Sequence, residues 1–523
     1  MLTESLHKAL MQTGTYPEGT SEVGFIETHV SKLYFTAQHV YKLKKPVNFK
    51  FLDFTTLDRR RFYCEEEVRL NRRFAPDMYL GVMEIREDHG RISIGGPGTT
   101  IEYAVRMIRL PSDRMLDHLI DRQATELPTQ IDRLAPLLAH LEDEAPVCQR
   151  NGGRNNFDAV RGNWQENFEQ MAPFIGQTLS SAAEDICHRY VEKFLQEHEE
   201  LLLRREDEGF VREGHGDLHA EHICLTDPIR IYDCIEFNRR FRVADVAADL
   251  AFLLMDLEYR QRRDLSARLL AGYRAHAQPD ADLPNLLEFY KIYRAYVRGK
   301  VQTFLQADPQ AEDATRHEAR LCACRYFNLA LGYLLPSCLI LVGGLMGAGK
   351  STLALELSRA NGANLLRSDV VRKHLAGLHE STPAPANFAR GIYTPEWNRR
   401  VYDEMLRQTQ ALLSDGRSVI VDASFSRKQD RVQFRQLARR MQKPSLFIHL
   451  ACDTETLERR LQQRREDPHE VSDGRQELLA DQAAHFQQPG EEECILSLDG
   501  THDPCQNAQN AICEILSRKD PTA

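Results

Sequence analysis

The chain runs to 523 residues, too long for one ordinary hydrophobic core, so at least two domains are expected, and 42% hydrophobic residues are ample to fill them. Its 67 basic and 77 acidic side chains leave a formal charge of −10, which excludes a surface basic throughout, as a general nucleic-acid or anionic-membrane binder needs, and leaves room for local basic sites. No basic leader opens "MLTESLHKALMQTG", the most apolar run (333–347) is broken by Pro336 and glycines, and the twelve cysteines lack a secretory context, so a cytoplasmic protein with reduced thiols and no membrane association is expected.

In chain order, residues 23–45, "VGFIETHVSKLYFTAQHVYKLKK", predict two short strands around a turn at "TAQH". Phe62, Val68, Leu70 and Phe74 mark a helix over about 58–74 that stops before Pro76. Three strands are expected in "YLGVMEIREDHGRISIGG" and "IEYAVRMIRLP", and this order fits a small α+β nucleotide-binding lobe. From 112 to 208 the period is helical, with one long amphipathic helix over 178–205; 210–237 returns to strands and turns, and 243–333 is helical again. Beyond Pro336, "CLILVGG", "ANLLRSD", "SVIVDAS", "SLFIHLA" and "ECILSLD" are buried-type strands separated by helices, the pattern of an α/β domain with a mostly parallel sheet. The expected domains are 1–335 and 336–523.

Residues 344–351, "GLMGAGKS", match G-x-x-x-x-G-K-S between an apolar strand and a helix, the context that makes this phosphate-loop motif specific. Gly344, Gly347, Ala348, Gly349 and Lys350 form the loop: backbone N–H groups surround a β-phosphate, the glycines permit the tight path, and Lys350 faces the β/γ-phosphates. Ser351 is the magnesium-side hydroxyl, and Thr352 follows it in the cradle. Asp422, ending "SVIVDAS", suits either a carboxylate behind the magnesium ligands or a general base opposite the loop, with a turn cap as the plain alternative. Asp369 in "LLRSDVVRKHLAG" either accepts the acceptor hydroxyl's proton or caps its helix. Arg427, Arg431 and the cluster Arg459, Arg460, Arg464 and Arg465 offer phosphate contacts; Arg464 is the preferred lid arginine, against a solvated helix with pairs such as Glu455–Arg459. Together, "GGLMGAGKST", "LLRSDVVRKHL", "VIVDASFSR" and the arginine-rich stretch resemble the P-loop small-molecule and polynucleotide kinases, which implies transfer of the ATP γ-phosphoryl to a hydroxyl.

Upstream, "HGDLHAEH" at 215–222 gathers Asp217, three histidines and a glycine, and "IRIYDCIEFN" adds Asp233 and Glu236. A turn carrying Asp217 and a strand carrying one of the later carboxylates can converge on a metal-bound triphosphate, leaving Asp217 to position or deprotonate an acceptor. A zinc site built from His215, His219 and His222 is the alternative.

The loop resembles the HGDxxxxN loop of the aminoglycoside phosphotransferase and protein-kinase-like fold, with His222 where that family has a metal-ligating Asn. The resemblance implies that Lys42 in "HVYKLKKP" contacts α/β-phosphates with Glu67 as its helix partner, Lys44 and Glu66 being rivals. It makes His222 with Asp233 or Glu236 the metal ligands, Glu236 slightly preferred, and has Asp245 and Asp249 brace the loop. Imidazole suits Mg²⁺ poorly, so Mn²⁺ enters as a candidate there. The full order, with "ETHVSKLYF" through "RRFAPDMY", resembles bacterial bifunctional proteins pairing a phosphotransferase-like with a P-loop ATP-binding domain. Expected is an ATP- and Mg²⁺-dependent phosphotransferase acting on a hydroxyl-bearing small molecule or a nucleic-acid end; the alternative is an ATP-controlled regulator with a weak or inactive N-terminal half.

Overall fold

The computed structural model describes residues 4–49, 52–148, 155–379, 394–464, 479–490, 493 and 495–518. The chain forms two compact units, 1–162 with 197–291, and 163–196 with 292–523. The helical residues 163–196 and 292–335, expected with the N-terminal domain, group instead with the second unit. Among the described residues no helix is long and apolar enough to cross a membrane.

The first unit is α+β. Strands β1 (Gly24–Glu27), β2 (Ser31–Phe35), β3 (His39–Lys44), β4 (Tyr79–Asp88), β5 (Arg91–Ile94) and β6 (Thr99–Ile108) form an antiparallel sheet in the order β1-β2-β3-β6-β4-β5. Residues 23–45 thus make three strands rather than two. The same device makes both turns: Thr28 Oγ1 accepts the Ser31 N–H at 3.0 Å, and Thr36 Oγ1 accepts the His39 N–H at 3.0 Å. Helix α1 (Leu57–Asn71), capped by Thr56, buries Cys64, Glu67, Val68 and Leu70 against the sheet. Alternation along β3 does the rest: Tyr41 and Leu43 enter the core with Tyr34 and Ile85, while Val40 packs with Cys64 and Val68 on the α1 side. Lys42 and Lys44 share the parity of Val40 and therefore meet α1. Downstream, Val211–Glu213 pairs antiparallel with Val243–Asp245, which leads into helix α2 (Val246–Tyr259), and the HGD loop lies between 213 and the short turn Ala220–His222.

The long helix expected over 178–205 is two helices, Ser181–Glu197 and Glu199–Asp207, broken at His198, whose φ of −119° and ψ of 15° leave the helical region. In the second unit the helix Asp313–Tyr333 packs closely on the P-loop helix; a Cβ at Gly332 would fall 2.2 Å from the Ala360 carbonyl.

All five expected C-terminal strands are present: β7 (Leu339–Gly343), β8 (Asn364–Arg367), β9 (Val419–Asp422), β10 (Ser445–Ala451) and β11 (Ile495–Asp499), every pair parallel, in the order β8-β9-β7-β10-β11. β7 and β9 are buried along their whole lengths, which is why they read as continuous apolar runs. The sheet carries helices α3 (Lys350–Asn361), α4 (Ser368–Leu375), α5 (Lys428–Arg440), α6 (Thr454–Arg464) and α7 (Pro504–Ser517). Because the strands are parallel, the loops that follow them emerge at one edge, the usual ligand crevice of open α/β sheets.

Candidate active sites

In the second unit that edge carries the glycine loop expected to cradle phosphate. Gly344, Gly347 and Gly349 have φ of 141°, 82° and 96°, which only glycine adopts without strain, and a Cβ on Gly344 would lie 2.3 Å from the Leu450 carbonyl oxygen. Gly349 opens α3, so the loop N–H groups lie at a helix N-terminus, where the aligned peptide dipoles favour anions. Ala348 is buried, and its carbonyl lies 3.4 Å from an Arg460 Nη1. Lys350 Nζ donates to the Leu345 carbonyl at 2.9 Å, folded back over the loop.

Beneath the loop Ser351 Oγ donates to Asp422 Oδ2 at 2.6 Å. The register explains the meeting: Asp422 sits opposite Val342, one residue before the end of β7. Arg367 is opposite Asp422 on the other side, with Nε 3.6 Å from Oδ2. The hydroxyl–carboxylate pair is the hard oxygen donor set that Mg²⁺ takes alongside nucleotide phosphates, so the residues present fit that ion. Asp369 is the second residue of α4, just past the end of β8 and on the same sheet edge.

Sequence reasoning preferred Arg464, which ends α6; its side chain lies outside the described residues. The arginine of this helix that the structure places at the loop is Arg460, whose Nη2 donates to the Gly500 carbonyl at 2.9 Å. Arg460, Gly347, Gly349, Thr352, Gly500, His502 and Asn507 line a cavity of about 380 Å³ beside the cradle. Arg431 does not face phosphate: it is buried and bidentate to Glu493, at 2.7 and 3.0 Å. Two contributors carried no sequence signal, Gln482, whose Oε1 accepts the Met346 N–H at 2.8 Å, and the loop at Gly500.

In the first unit the parity of β3 puts two lysines on one carboxylate. Lys42 Nζ lies 2.9 Å from Glu67 Oε1 and 2.5 Å from Asp233 Oδ1; Lys44 Nζ lies 2.7 Å from Glu67 Oε2 and also bonds Glu236 Oε1. Glu66, the alternative partner, points elsewhere and pairs with Arg69 at 2.8 Å. Asp233 and Glu236 were expected to face opposite ways on a strand. The strand ends at Ile231, Asp233 takes a left-handed φ of 64°, and both carboxylates turn toward the lysines. Only Asp233 reaches the histidine loop, its Oδ2 3.7 Å from His222 Nε2; Glu236 is held by Lys44.

The cluster has two ammonium groups and three carboxylates, and the excess acid shows. Burial raises Glu236 despite the pull of Lys44. Burial is the largest influence on Glu67 and Asp233 and opposes their ionisation, but Lys42 together with Lys44 at Glu67, and with His222 at Asp233, outweighs it and holds both below the ordinary carboxylate range. Burial opposes the charge on Lys42 and Lys44 as well; the surrounding carboxylates overcome it and raise both.

The HGD loop is held from α2. Asp249 Oδ2 accepts the His215 N–H at 2.6 Å and its Oδ1 the Gly216 N–H at 3.0 Å, while Asp245 caps α2 and takes a bidentate Arg205. Asp256, which sequence reasoning passed over, accepts the Ala220 N–H at 2.9 Å. Gly216 has φ 83°, and a Cβ there would come 2.9 Å from the Phe241 carbonyl oxygen. His215 is buried; one ring nitrogen donates to the Tyr232 carbonyl at 2.9 Å and the other accepts the Asp217 N–H at 3.3 Å, so it has no lone pair left for a metal. Burial and the neighbouring His222 push its pKa down to about 3, so it stays neutral. Asp217, His219 and His222 each place one ligand atom within 4.8 Å of the others. With an imidazole in the set and one Asp233 oxygen taken by Lys42, these donors do not fit Mg²⁺, which demands a near-octahedral oxygen shell.

Comparison with known proteins bears on this architecture. Uncharacterized protein Rv2004c of Mycobacterium tuberculosis (strain ATCC 25618 / H37Rv) is 33% identical over 418 residues, 79% of this chain and 80% of the relative. The chain belongs to the family of that mycobacterial protein. The family profile described as AAA domain matches residues 339–489. Among solved structures, the GDP complex of wild-type aminoglycoside 2'-phosphotransferase-IIIa is 13% identical, with 62% of this chain and 99% of that one covered at a TM-score of 0.39. An unliganded sugar kinase from Janibacter sp. HTCC2649 is 20% identical, with 36% and 99% covered at a TM-score of 0.28.

Proposed function

We propose that the protein is a cytoplasmic ATP-dependent phosphotransferase with two kinase-like nucleotide sites, its firmest chemistry in the second unit. The observation that carries this is the 2.6 Å Ser351–Asp422 contact directly beneath a glycine loop with three left-handed residues. The loop N–H groups and Lys350 grip the nucleotide's terminal phosphates, and the cavity lined by Thr352, Arg460 and His502 takes the nucleoside. Ser351 and Asp422 would hold Mg²⁺, which would supply positive charge to the phosphates. An acceptor hydroxyl attacks the γ-phosphorus; the new O–P bond forms as the bond to the β-phosphate oxygen breaks, the hydroxyl proton passes to Asp369, and ADP leaves. In the first unit Asp217 has the acceptor-side role and Lys42 the donor-phosphate role. The acceptor class is a hydroxyl-bearing small molecule or a nucleic-acid end.

The test is transfer from γ-labelled ATP to pooled metabolites and oligonucleotides, with Lys350→Ala and Asp217→Asn as controls. Labelled product lost in one variant and kept in the other assigns the chemistry to a unit; ATP consumption with no labelled acceptor in any pool defeats the reading. A second reading, in which the first unit binds nucleotide without transfer and serves regulation, is favoured by the closed Lys42–Asp233 pair at 2.5 Å and by His222 in a magnesium position. It predicts that Asp217→Asn leaves product formation unchanged.

A further inference from the structure

We propose that Gln482 sets the preference of the glycine loop between nucleoside di- and triphosphates. Its side-chain oxygen stands where an oxygen of the terminal phosphate would, so a diphosphate leaves the contact intact and a triphosphate displaces it, freeing the front of the segment 479–490. This deepens the second-unit half of the function proposed above and rests on it for the binding of nucleotide phosphates to the loop. The peptide unit between Leu345 and Met346 is held from both ends: its carbonyl accepts Lys350 Nζ at 2.9 Å, and its N–H donates to Gln482 Oε1 at 2.8 Å. Across a trans peptide those two groups point opposite ways, so the two side chains clamp one peptide plane. An N–H admits only an acceptor, which fixes the amide with its oxygen on the loop. Met346 stands just ahead of the four residues whose N–H groups serve a β-phosphate, and the other half of the clamp is the ammonium assigned to the β/γ-phosphates. Both contacts therefore lie at the terminal-phosphate end. A charged phosphate oxygen binds an N–H more strongly than a neutral amide oxygen does, so it wins the exchange, and drawing Lys350 off the Leu345 carbonyl opens the clamp from the other side.

Release stays local because the rear of the segment is fastened elsewhere. The short helix Leu479–Ala484 carries Gln482 and runs into an anchored stretch. Phe486 is buried and stacks on His449, with ring centroids 5.5 Å apart. Gln487 donates its N–H to the Ser426 carbonyl at 2.8 Å, accepts the Lys428 N–H on Oε1 at 2.7 Å and takes Arg431 Nη1 on its carbonyl at 3.0 Å. Those three partners belong to the loop and helix that follow β9, the strand that ends in Asp422. One segment thus joins the glycine loop, through a single displaceable side chain, to the element behind Asp422, through several fixed bonds. Displacing Gln482 uncouples the two while the anchor at Gln487 holds.

The experiment titrates the full-length chain with ADP and with the β,γ-imido analogue of ATP, both with Mg²⁺, and reads loop occupancy from hydrogen exchange of the peptide covering 344–352, which reports this loop whatever the first unit binds. In the parent the triphosphate should speed exchange in the peptide covering 479–485 and ADP should not, with the peptide covering 486–490 unchanged by either. Gln482→Ala removes the competitor, so the triphosphate should bind about two- to tenfold tighter, the span of one neutral hydrogen bond, with ADP unaltered. Gln482→Glu keeps an acceptor for Met346 and adds charge beside the phosphate, so the triphosphate should bind about tenfold weaker. Triphosphate affinity unchanged in Gln482→Ala, affinity for both nucleotides lowered alike as a merely structural contact would give, or protection of 479–485 by the triphosphate overturns the proposal. No response of the peptide covering 344–352 to either nucleotide overturns it together with the P-loop chemistry. Release as described with no labelled product formed supports the role of Gln482 and defeats only the phosphotransferase reading.

Discussion

Replacing Lys44 with methionine tests the electrostatic frame of the first unit. The lysine is 1% exposed and lies between Glu67, fully buried, and Glu236, 7% exposed, so its loss leaves two carboxylates with only the Lys42 ammonium in reach of one of them. Removing one partner of a buried pair costs about 3–5 kcal/mol, because the remaining charge stays desolvated. The loss should depend on pH with a definite sign. Burial already raises Glu236, so folding shifts this group toward its protonated form; stability from it is full below the ordinary glutamate range, about pH 4.3, and declines as pH rises through the folded value. Without Lys44 that value rises further, and the deficit of the variant should be largest at pH 8 and shrink toward pH 5. Both tryptophans of the chain, Trp164 and Trp397, belong to the second unit, so the assay is urea-titrated hydrogen exchange of the peptides covering 39–44 and 57–71. Adding Glu236→Gln to Lys44→Met should recover part of the loss. A deficit under about 1 kcal/mol, or one that grows on acidification, would refute the argument.

Asp422→Asn keeps an acceptor for Ser351 but removes the charge, so the Mg²⁺-dependent part of ATP affinity should fall about tenfold while affinity in EDTA is nearly unchanged, as isothermal titration would show. Gly344→Ala combines a φ of 141° with a Cβ 2.3 Å from the Leu450 carbonyl, and should destabilise the second unit by about 3 kcal/mol, read from Trp164 and Trp397 fluorescence in urea. Arg431→Met leaves Glu493 buried and the Phe425 carbonyl without its 2.7 Å donor; the same assay should register about 3–5 kcal/mol, with KM for ATP unaltered in the fraction that remains folded.

The second unit was legible because parallel strands buried on both faces write themselves as apolar runs, and because the glycines of "GLMGAGKS" mark the tight strand-to-helix turn that the backbone takes. Asp422 followed from its place at the end of such a run. What could not be read was that Arg460 meets the loop: neighbouring positions on α6 differ by about 100° around the helix, and the contact that holds Arg460 comes from Gly500, forty residues away in the chain. Arg431 was misleading for a related reason, since its partner Glu493 lies 62 positions downstream. In the first unit strand parity made Lys44 a rival of Lys42, and both do bind Glu67, Lys42 going on to Asp233 and Lys44 to Glu236. The missed turn at Thr28–Ser31 rests on a single side-chain hydroxyl, which hydrophobic alternation cannot register.

The choice between Asp233 and Glu236 shows what decides such cases. Spacing to Asp249 favoured Glu236, on the premise that both carboxylates lie on a strand with fixed alternation. The backbone leaves the strand after Ile231 because Tyr79 Oη accepts the Asp233 N–H at 3.1 Å and Asn71 Oδ1 accepts the Cys234 N–H at 2.8 Å, replacing the ladder bonds a strand would have made. Asn71 in turn donates to the Glu67 carbonyl at 2.9 Å, so the helix that supplies the lysines' partner also steers the segment that carries Asp233. Asn71→Leu should therefore release that turn and cost the first unit about 1–3 kcal/mol, read from urea-titrated hydrogen exchange of the peptides covering 57–71, while Asn71→Asp, which keeps the acceptor for Cys234, should retain most of the stability. Equal protection in Asn71→Leu and the parent would show that the turn is set by something else.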